Sequence, residues 1–496
     1  MNIVNKNIIA NYIGKLWGFI SIFIFIRFYI EILGIQSYAI INFYSVILGL
    51  IAFADAGLTA TLNRELAKDI SVRDKSNLVY TAENIYLGIC AFVIVLIYVL
   101  SDYIAQNFLK TDSFARDQIS YFIKLIGVGI GLQLFSTLYE GGLMGLQKQV
   151  LSNKIKIVWS LFRSGIVIIP LLYIPTLEVY FIWQILCNTI LLLVFKRYIS
   201  KELNPLEKPI FSNELLLNIW KYATGMMGIA FISAINIQID KLVTSKYLDL
   251  KSFGYYSLAT TIAQIPLLVS TPIIVAVFPM LSMLVSINEY DKKKEYFHRF
   301  SFIITVITAP IAVCIFLYAI PLIVLWTGNL EIANQINMTV KILIFGGFFL
   351  CLQLMPYYVG LANGHTKTNI IIGFFGLFIV IPLIIYCVKK FGIIGATVPW
   401  FFINLLSLVI LSIVVLKKYL PNEYFKWLKQ DVVVPLIVTL FVALGVYFST
   451  LQLVGKYWFI IDMGLIMTLS LFVNVLLYNK LNPANKLIDF DLLKDR

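Results

Sequence analysis

Six basic side chains stand inside apolar stretches of this 496-residue chain: Lys15, Arg27, Lys124, Arg163, Lys221 and Lys341. Acids are scarcer there: Glu31, Asp55, Glu83 and Glu140, with Asp240 at the end of such a stretch. A charge at the centre of an apolar span costs about 2.5–3.5 kcal/mol even on insertion scales. Each of these groups must therefore snorkel, pair, or line a polar cavity. Basic groups lining a cavity bind anions. Arg grips phosphate oxygens with a two-pronged fork, whereas Lys acts as a point charge. The surplus of fixed positive charge lies mostly in the first half and points to an anionic ligand. Basic pockets between helices suit phosphorylated lipid head groups.

The positions differ in how much they need explaining. Lys15 and Lys221 lie about two turns inside the ends of their spans, and Lys341 about one turn, within reach of snorkelling. Lys124 is also about two turns inside but less easily excused. Arg27 has Glu31 one turn later on the same face, so an internal ion pair is open to it. Arg163 is close to the centre of its span, cannot lose its proton, and has no acid nearby in its own helix. It is the strongest cavity candidate. Asp55, Glu83 and Glu140 lie near span ends, where pairing with loop Lys or Arg is the default. Asp240, beside Lys241, caps or pairs at its helix end. Glu31, Asp55 and Asp240 are the candidate ion-coupling or gating acids.

The elements that hold these groups follow from composition. The chain is 60% hydrophobic and 13% charged, against roughly 25% charged in soluble domains, and its mean hydropathy is +0.89. An ordinary soluble protein is excluded. Lipid tolerates only helices or closed barrels, and the apolar runs are too long and too uniform for barrel strands. The sequence predicts fourteen helices near 9–33, 38–60, 78–101, 117–142, 150–173, 177–198, 214–239, 254–285, 299–325, 337–362, 368–388, 393–416, 432–451 and 457–479. The first run is too long for a cleaved signal peptide and lacks a small-residue cleavage site, so it is expected to stay as an anchor.

Lys and Arg placement orients the chain. Of the 39 such residues, twenty-five fall in the N-terminal tail and even-numbered connections, eight in the odd-numbered ones and six inside spans. Cytoplasmic loops gather Lys and Arg, so both termini are expected in the cytoplasm. An internal echo recurs after six helices. Tyr139, Gly141, Gly145 and Lys148 match Tyr358, Gly360, Gly364 and Lys367 in the spacing Y-x-G-x-x-x-G-x-x-K. More weakly, residues 35–39 (IQSYA) echo 250–254 (LKSFG). Glycines at this spacing also serve close helix packing, but the matching Tyr and Lys favour a repeat. Since six is even, the halves share one orientation, the parallel-repeat arrangement of some secondary transporters. The expected fold is an all-α polytopic membrane protein of 14 transmembrane helices: two parallel-related six-helix bundles plus two C-terminal helices. The expected domains are 1–199, a cytoplasmic linker at 200–213 carrying Pro205 and Pro209, a second bundle at 214–420, and two further helices with a tail at 421–496. Two bundles around a central site suit alternating access by rocking.

Other chemistry is poorly supported. Cys90, Cys187, Cys314, Cys351 and Cys387 all fall in apolar runs without CxxC spacing, as small core residues do. His298 and His365 are far apart, against a His-based metal site. No G-x-x-x-x-G-K-[ST] loop is present, so no ATPase is expected in the chain. No long connection offers room for an extramembrane catalytic site. The net charge of +13 reads as loop Lys and Arg rather than nucleic-acid binding. No cofactor, metal, nucleic acid or enzyme activity is expected.

Arg27 stands before Leu33-Gly34 and Tyr38, Phe53-Ala54-Asp55-Ala56-Gly57-Leu58 runs into Asn63-Arg64-Glu65, and Ile239-Asp240-Lys241-Leu242 precedes Phe253-Gly254-Tyr255-Tyr256. On these residues the chain resembles the Wzx-type polysaccharide flippases of the multidrug/oligosaccharidyl-lipid/polysaccharide (MOP) superfamily. The resemblance covers essentially the whole chain. It implies translocation of undecaprenyl-diphosphate-linked glycan, such as an O-antigen repeat unit, across the bacterial inner membrane, through a cationic central cavity where Arg27 and Arg163 are expected. The last two helices look like those that form a lipid-tail groove in lipid II flippases. The expected partners are this lipid-linked glycan and membrane lipids, with a polysaccharide polymerase and a chain-length regulator, and the chain is expected to be a monomer. The nearest rival is an ion-coupled multidrug antiporter of the same superfamily, which would need a central acid. A membrane polysaccharide polymerase would need a large basic outer loop. A major-facilitator transporter would carry a G-x-x-x-D-[RK]-x-G-[RK]-[RK] connection, which residues 60–75 do not match.

Overall fold

The computed structural model describes the backbone of residues 3–55, 57–204, 208–365, 367–450, 457–481 and 487, and their side chains except those of 3–12, 15, 19, 22, 213–229, 369–370 and 450. Among the described residues every extended element is a helix, apart from one isolated bridge between Lys110 and Asp249. Twelve of the helical stretches are long and apolar enough to cross a bilayer. This is an all-α polytopic membrane protein. Large apolar side chains such as Val95 and Val99 or Phe375 and Phe378 are exposed, as a surface solvated by lipid chains requires.

The chain divides into two compact units, Met1–Gly254 and Tyr255–Arg496. In the first, α1 (Ile3–Leu33) and α2 (Ile35–Ile51) meet at Gly34, whose φ of 82° suits a residue without Cβ. A 3₁₀ turn, Ala52–Asp55, leads to α3 (Leu58–Leu66). Helix α4 (Val72–Phe108) starts on Ser71, whose Oγ accepts from the Asp74 amide at 3.1 Å, satisfying one orphan donor of the first turn. Then follow α5 (Arg116–Gly145), α6 (Gln149–Ser160), α7 (Ile168–Tyr173), α8 (Leu177–Leu203) and α9 (Asn213–Tyr247). Helix α5 is the hub, packed on α3, α4 and α8, with Ile123, Ile126, Leu138 and Leu143 fully buried. Helix α9 packs on α2, α3 and α4, so the first unit reaches past the expected linker and takes in the next helix.

The second unit holds α10 (Leu250–Ala263, whose first turn belongs to the first unit), α11 (Ile265–Ser286), α12 (Tyr290–Leu317), α13 (Ala319–Thr327), α14 (Leu330–Leu352) and α15 (Leu354–Ala362). It continues with α16 (Lys367–Tyr419), α17 (Tyr424–Lys426), α18 (Val434–Thr450) and α19 (Trp458–Leu481). Helix α16 is two helices joined at Gly392, where φ is 60° and ψ is −138°. Helix α12 is the hub, touching α11, α14, α18 and α19. Tyr318 donates to Asp462 at 3.1 Å, tying α19 to the end of α12. Asp462 is a buried acid inside the last span that the sequence reading passed over.

Close approaches explain two glycines. A Cβ at Gly145 would lie 2.6 Å from the Asn63 carbonyl oxygen, and one at Gly254 would lie 2.8 Å from that of Ile35. The second contact brings the echoing segments 35–39 and 250–254 together, and the rings of Phe43 and Phe253 meet edge-on with centroids 6.2 Å apart. All five cysteines are free and buried.

Two stretches widen into π-helix, Leu161–Ile166 and Trp427–Val433. Each is followed by a proline, Pro170 and Pro435. A proline has no amide for the carbonyl four residues earlier, and its ring collides with that carbonyl. Those carbonyls belong to Ile166 and Asp431, so the helix opens where the rings push. Such bulges often mark functional positions. The first carries Arg163 and the second Asp431.

Candidate functional site

Arg163 sits in the π turn between α6 and α7, half-buried within the first unit. Its Nε donates to Gln184 Oε1 on α8, and Gln184 Nε2 donates back to the Arg163 carbonyl at 3.2 Å. The Val167 amide bonds the Gly165 carbonyl, and Gln184 holds both ends of Arg163. The guanidinium lies over the rings of Trp159 and Tyr44, at 4.9 and 5.4 Å from their centroids. Trp159 is fixed by its indole N–H donating to the Cys187 carbonyl at 3.1 Å. Tyr44 donates to Gln133 at 2.7 Å and receives from Asn188 at 3.3 Å. Tyr29 donates to the Ser164 carbonyl at 2.5 Å. A Cβ at Gly165 would meet the Phe25 ring at 2.8 Å, so α1 closes directly over the turn.

Among the described residues, no carboxylate comes within 4.0 Å of Arg163, and its two terminal nitrogens donate to none of them. The fork that matches two phosphate oxygens is therefore open, and its planar face is pre-set by two aromatic rings. The sequence flagged Arg163 for its lack of a helical acid. It missed Gln184, Tyr44, Trp159 and Asn188. The one available signal was Gln184 and Asn188, two amides four residues apart on an otherwise apolar helix.

The other cations rest on separate partners. Lys124 is half-buried over the Tyr98 ring at 4.8 Å, and Lys341, in the second unit, over Phe316 at 5.2 Å. Arg27 and Glu31 are both exposed, and the ion pair open to them by spacing does not form. One turn of spacing brings two side chains onto one face, but two exposed long chains gain little by pairing. The side chains of Lys15 and Lys221 lie outside the described residues. Asp240 is half-buried in the last turns of α9, where its carbonyl accepts from Thr244 at 2.8 Å.

Two acids pair with Lys as expected for span ends. Lys156 lies 2.7 Å from Glu140, and Lys196 lies 3.6 Å from Glu83, which also accepts from Tyr139 at 2.9 Å. Asp55 instead takes hydroxyls, from Thr59 at 2.5 Å and from Tyr86. Outside the spans, Glu65 bonds Arg64 at 2.8 Å and Lys68 at 2.5 Å. Burial works against its ionisation, but these two cations outweigh it and hold the carboxyl below its ordinary value. Among the described residues no group of three or more His, Cys, Asp or Glu could hold a metal.

The arrangement is a membrane helix bundle with an uncompensated, pre-positioned guanidinium, and its sequence and fold have known counterparts. Residues 4–285 match the family described as polysaccharide biosynthesis protein, and residues 165–469 match the family described as lipid II flippase MurJ. A Shigella flexneri protein described as a candidate O-antigen transporter is 24% identical over 378 residues, 74% of this chain and 87% of the relative. An uncharacterized membrane protein of Methanocaldococcus jannaschii is 23% identical over 447 residues, 83% of this chain and 86% of the relative. Among solved structures, a lipid II flippase MurJ in an inward closed conformation matches with a TM-score of 0.74 at 16% identity, covering 95% of this chain and 98% of its own. An inward-facing multidrug resistance transporter of the MATE family, also of the MOP superfamily, matches with a TM-score of 0.65 at 14% identity, covering 83% and 96%. At such identities these structures establish the fold alone. The family match spans more than half of the chain, and the chain belongs to the polysaccharide biosynthesis protein family, among the Wzx-type flippases of the MOP superfamily.

Proposed function

We propose that this protein moves undecaprenyl-diphosphate-linked oligosaccharide, an O-antigen or similar repeat unit, from the cytoplasmic to the outer leaflet of the bacterial inner membrane by alternating access. The observation that carries the cargo is the open fork of Arg163, half-buried, braced by Gln184 and unopposed by any described carboxylate. A diphosphate offers the paired, charged oxygens that such a fork binds. Arg27 and Lys124, also without a carboxylate within 4.0 Å among the described residues, add positive potential to the same unit. Lys341, Lys15 and Lys221 complete the set of in-span cations.

The family and the candidate O-antigen transporter relative support a lipid-linked glycan as cargo. The asymmetry of 25 against 8 Lys and Arg supports cytoplasmic termini. Cargo can shift the two access states only by binding them unequally, so Arg163 must be gripped differently in each. The π turn offers a means, because it can revert towards α-helix and withdraw the guanidinium. Against a drug-cation exporter stand the engagement of Glu83 and Glu140 by Lys, the exposure of Glu31 and the hold of Thr59 and Tyr86 on Asp55.

The test is complementation of a bacterium lacking its own repeat-unit flippase. The wild-type chain should restore surface glycan, and Arg163→Ala at equal protein level should not. Full restoration by Arg163→Ala would remove the fork from the mechanism.

A further inference from the structure

Away from the cationic site, the second unit holds a buried cluster that no step above uses. His298 on α12 is 9% exposed, and Asp431, in the second π stretch, is 3% exposed. His298 Nδ1 lies 2.5 Å from Asp431 Oδ2, and its Nε2 lies 2.9 Å from Glu423 Oε2. A neutral imidazole has one donor and one acceptor nitrogen, and carboxylates only accept. Both contacts are hydrogen bonds only if the cluster carries one proton more than neutral histidine and two carboxylates.

Glu423 does not carry it. This residue lies outside the spans, and Lys294 contacts its second oxygen. Burial opposes its ionisation, yet the bonds from Lys294 and His298 prevail and hold the carboxyl below its ordinary value. Nε2 therefore donates to Glu423, and the extra proton sits on the Nδ1 side.

We propose that His298, Glu423 and Asp431 form a proton-binding site, a carboxylate–imidazolium–carboxylate clamp, whose proton holds the segment 423–433 against α12. That segment is the approach to the last two helices. Loss of the proton leaves Asp431 buried and ionised with no donor, which is costly in a dry setting. Protons have a route, because His298 and Asp431 line a cavity of about 350 Å³. The charged and titratable groups around it are Asp291, Lys292, Lys294 and Glu295 on α12, Lys426 beside Asp431, and Tyr478 on α19; Arg299 acts on Tyr478. Four of these are cations and two are anions, a net +2 that works against the imidazolium, while the two carboxylates in direct contact at 2.5 and 2.9 Å favour it. Trp427, 1% exposed, sits against Phe297 of α12 with centroids 6.4 Å apart, so the clamp lies where the segment packs on that helix. The site is independent of the cargo reading and is measured without cargo.

The chain has two histidines, so ¹⁵N-histidine labelling of the full-length protein in lipid nanodiscs gives two imidazoles, and His365→Gln assigns them. The proposal expects both His298 nitrogens protonated at pH 7.5, where an ordinary histidine, with a pKa of about 6.5, is mostly neutral. Asp431→Asn should lower its titration by about one pH unit or more. A neutral His298 at pH 7.5 with an ordinary titration overturns the site. Hydrogen exchange of residues 423–433 tests the coupling. Beyond the chemical rate, exchange in the wild type should rise about tenfold as pH passes the His298 titration. In His298→Gln it should be fast at every pH, while His365→Gln should follow the wild type. A pH step that persists in His298→Gln overturns the coupling. If that variant does not fold, the wild type decides alone, since no step across the His298 titration overturns it equally.

Discussion

Gln184 holds Arg163 at both ends, accepting from the guanidinium Nε and donating to the backbone carbonyl at 3.2 Å. The second bond reaches a carbonyl inside the π turn, whose α-helical donor, the Val167 amide, bonds the Gly165 carbonyl instead. The π turn and Gln184 together position the guanidinium.

Arg163→Lys keeps the charge and loses the fork. A hydrogen bond to a charged group is worth about 1.5–3 kcal/mol, so transport should fall about tenfold in Arg163→Lys and about a hundredfold in Arg163→Ala. Gln184→Leu should fall between wild type and Arg163→Ala while leaving Arg163 in place. Rates in membrane vesicles at matched protein levels check the order.

The partly exposed pair Lys156–Glu140, with side chains 41% and 21% exposed, should matter less to transport than Arg163. Surface ion pairs contribute about 0–1 kcal/mol. Lys156→Gln should leave both melting temperature and transport near wild type, in contrast to Arg163.

Gly145→Ala places a methyl 2.6 Å from the Asn63 carbonyl oxygen and should cost about 1–3 kcal/mol through overpacking. Gly18→Ala meets nothing within 4 Å and should be neutral or slightly stabilising, because alanine favours helix. Melting of the two purified variants in detergent separates the cases.

Glu423 sets an acid limit on stability. Its carboxyl is held below its ordinary value, so the folded protein binds that proton less readily than the unfolded chain. The stabilisation is complete above the unfolded value, near 4.5, and is lost as pH falls through the lower folded value. Thermal melts from pH 7 to pH 3 should show this decline, and Glu423→Gln should be less stable at pH 7 and flatten it.

The spans were legible in hydropathy because lipid leaves the backbone no option but helix. Arg163 was legible because its own helix offers no acid. Its partners were not, since Tyr44, Trp159 and Gln184 come from three separate helices and share no periodic pattern. His298 and Asp431 are 133 residues apart, and their pairing depends on how α12 meets the second π stretch. Both bulges left a partial trace in Pro170 and Pro435, but a proline in a span signals a distortion without saying which kind. The Arg27–Glu31 spacing suggested a pair that does not form, because the i, i+4 rule gives proximity and not a dry site.

The most direct measurement is flipping in reconstituted vesicles that contain a polyprenyl-diphosphate-linked oligosaccharide, read as the fraction of sugar reaching an enzyme added outside. The wild-type protein should expose the sugar well above protein-free vesicles, and Arg163→Ala should return it to that background. Equal exposure by wild type and Arg163→Ala, or none by the wild type, would contradict a diphosphate-linked glycan carried on this guanidinium.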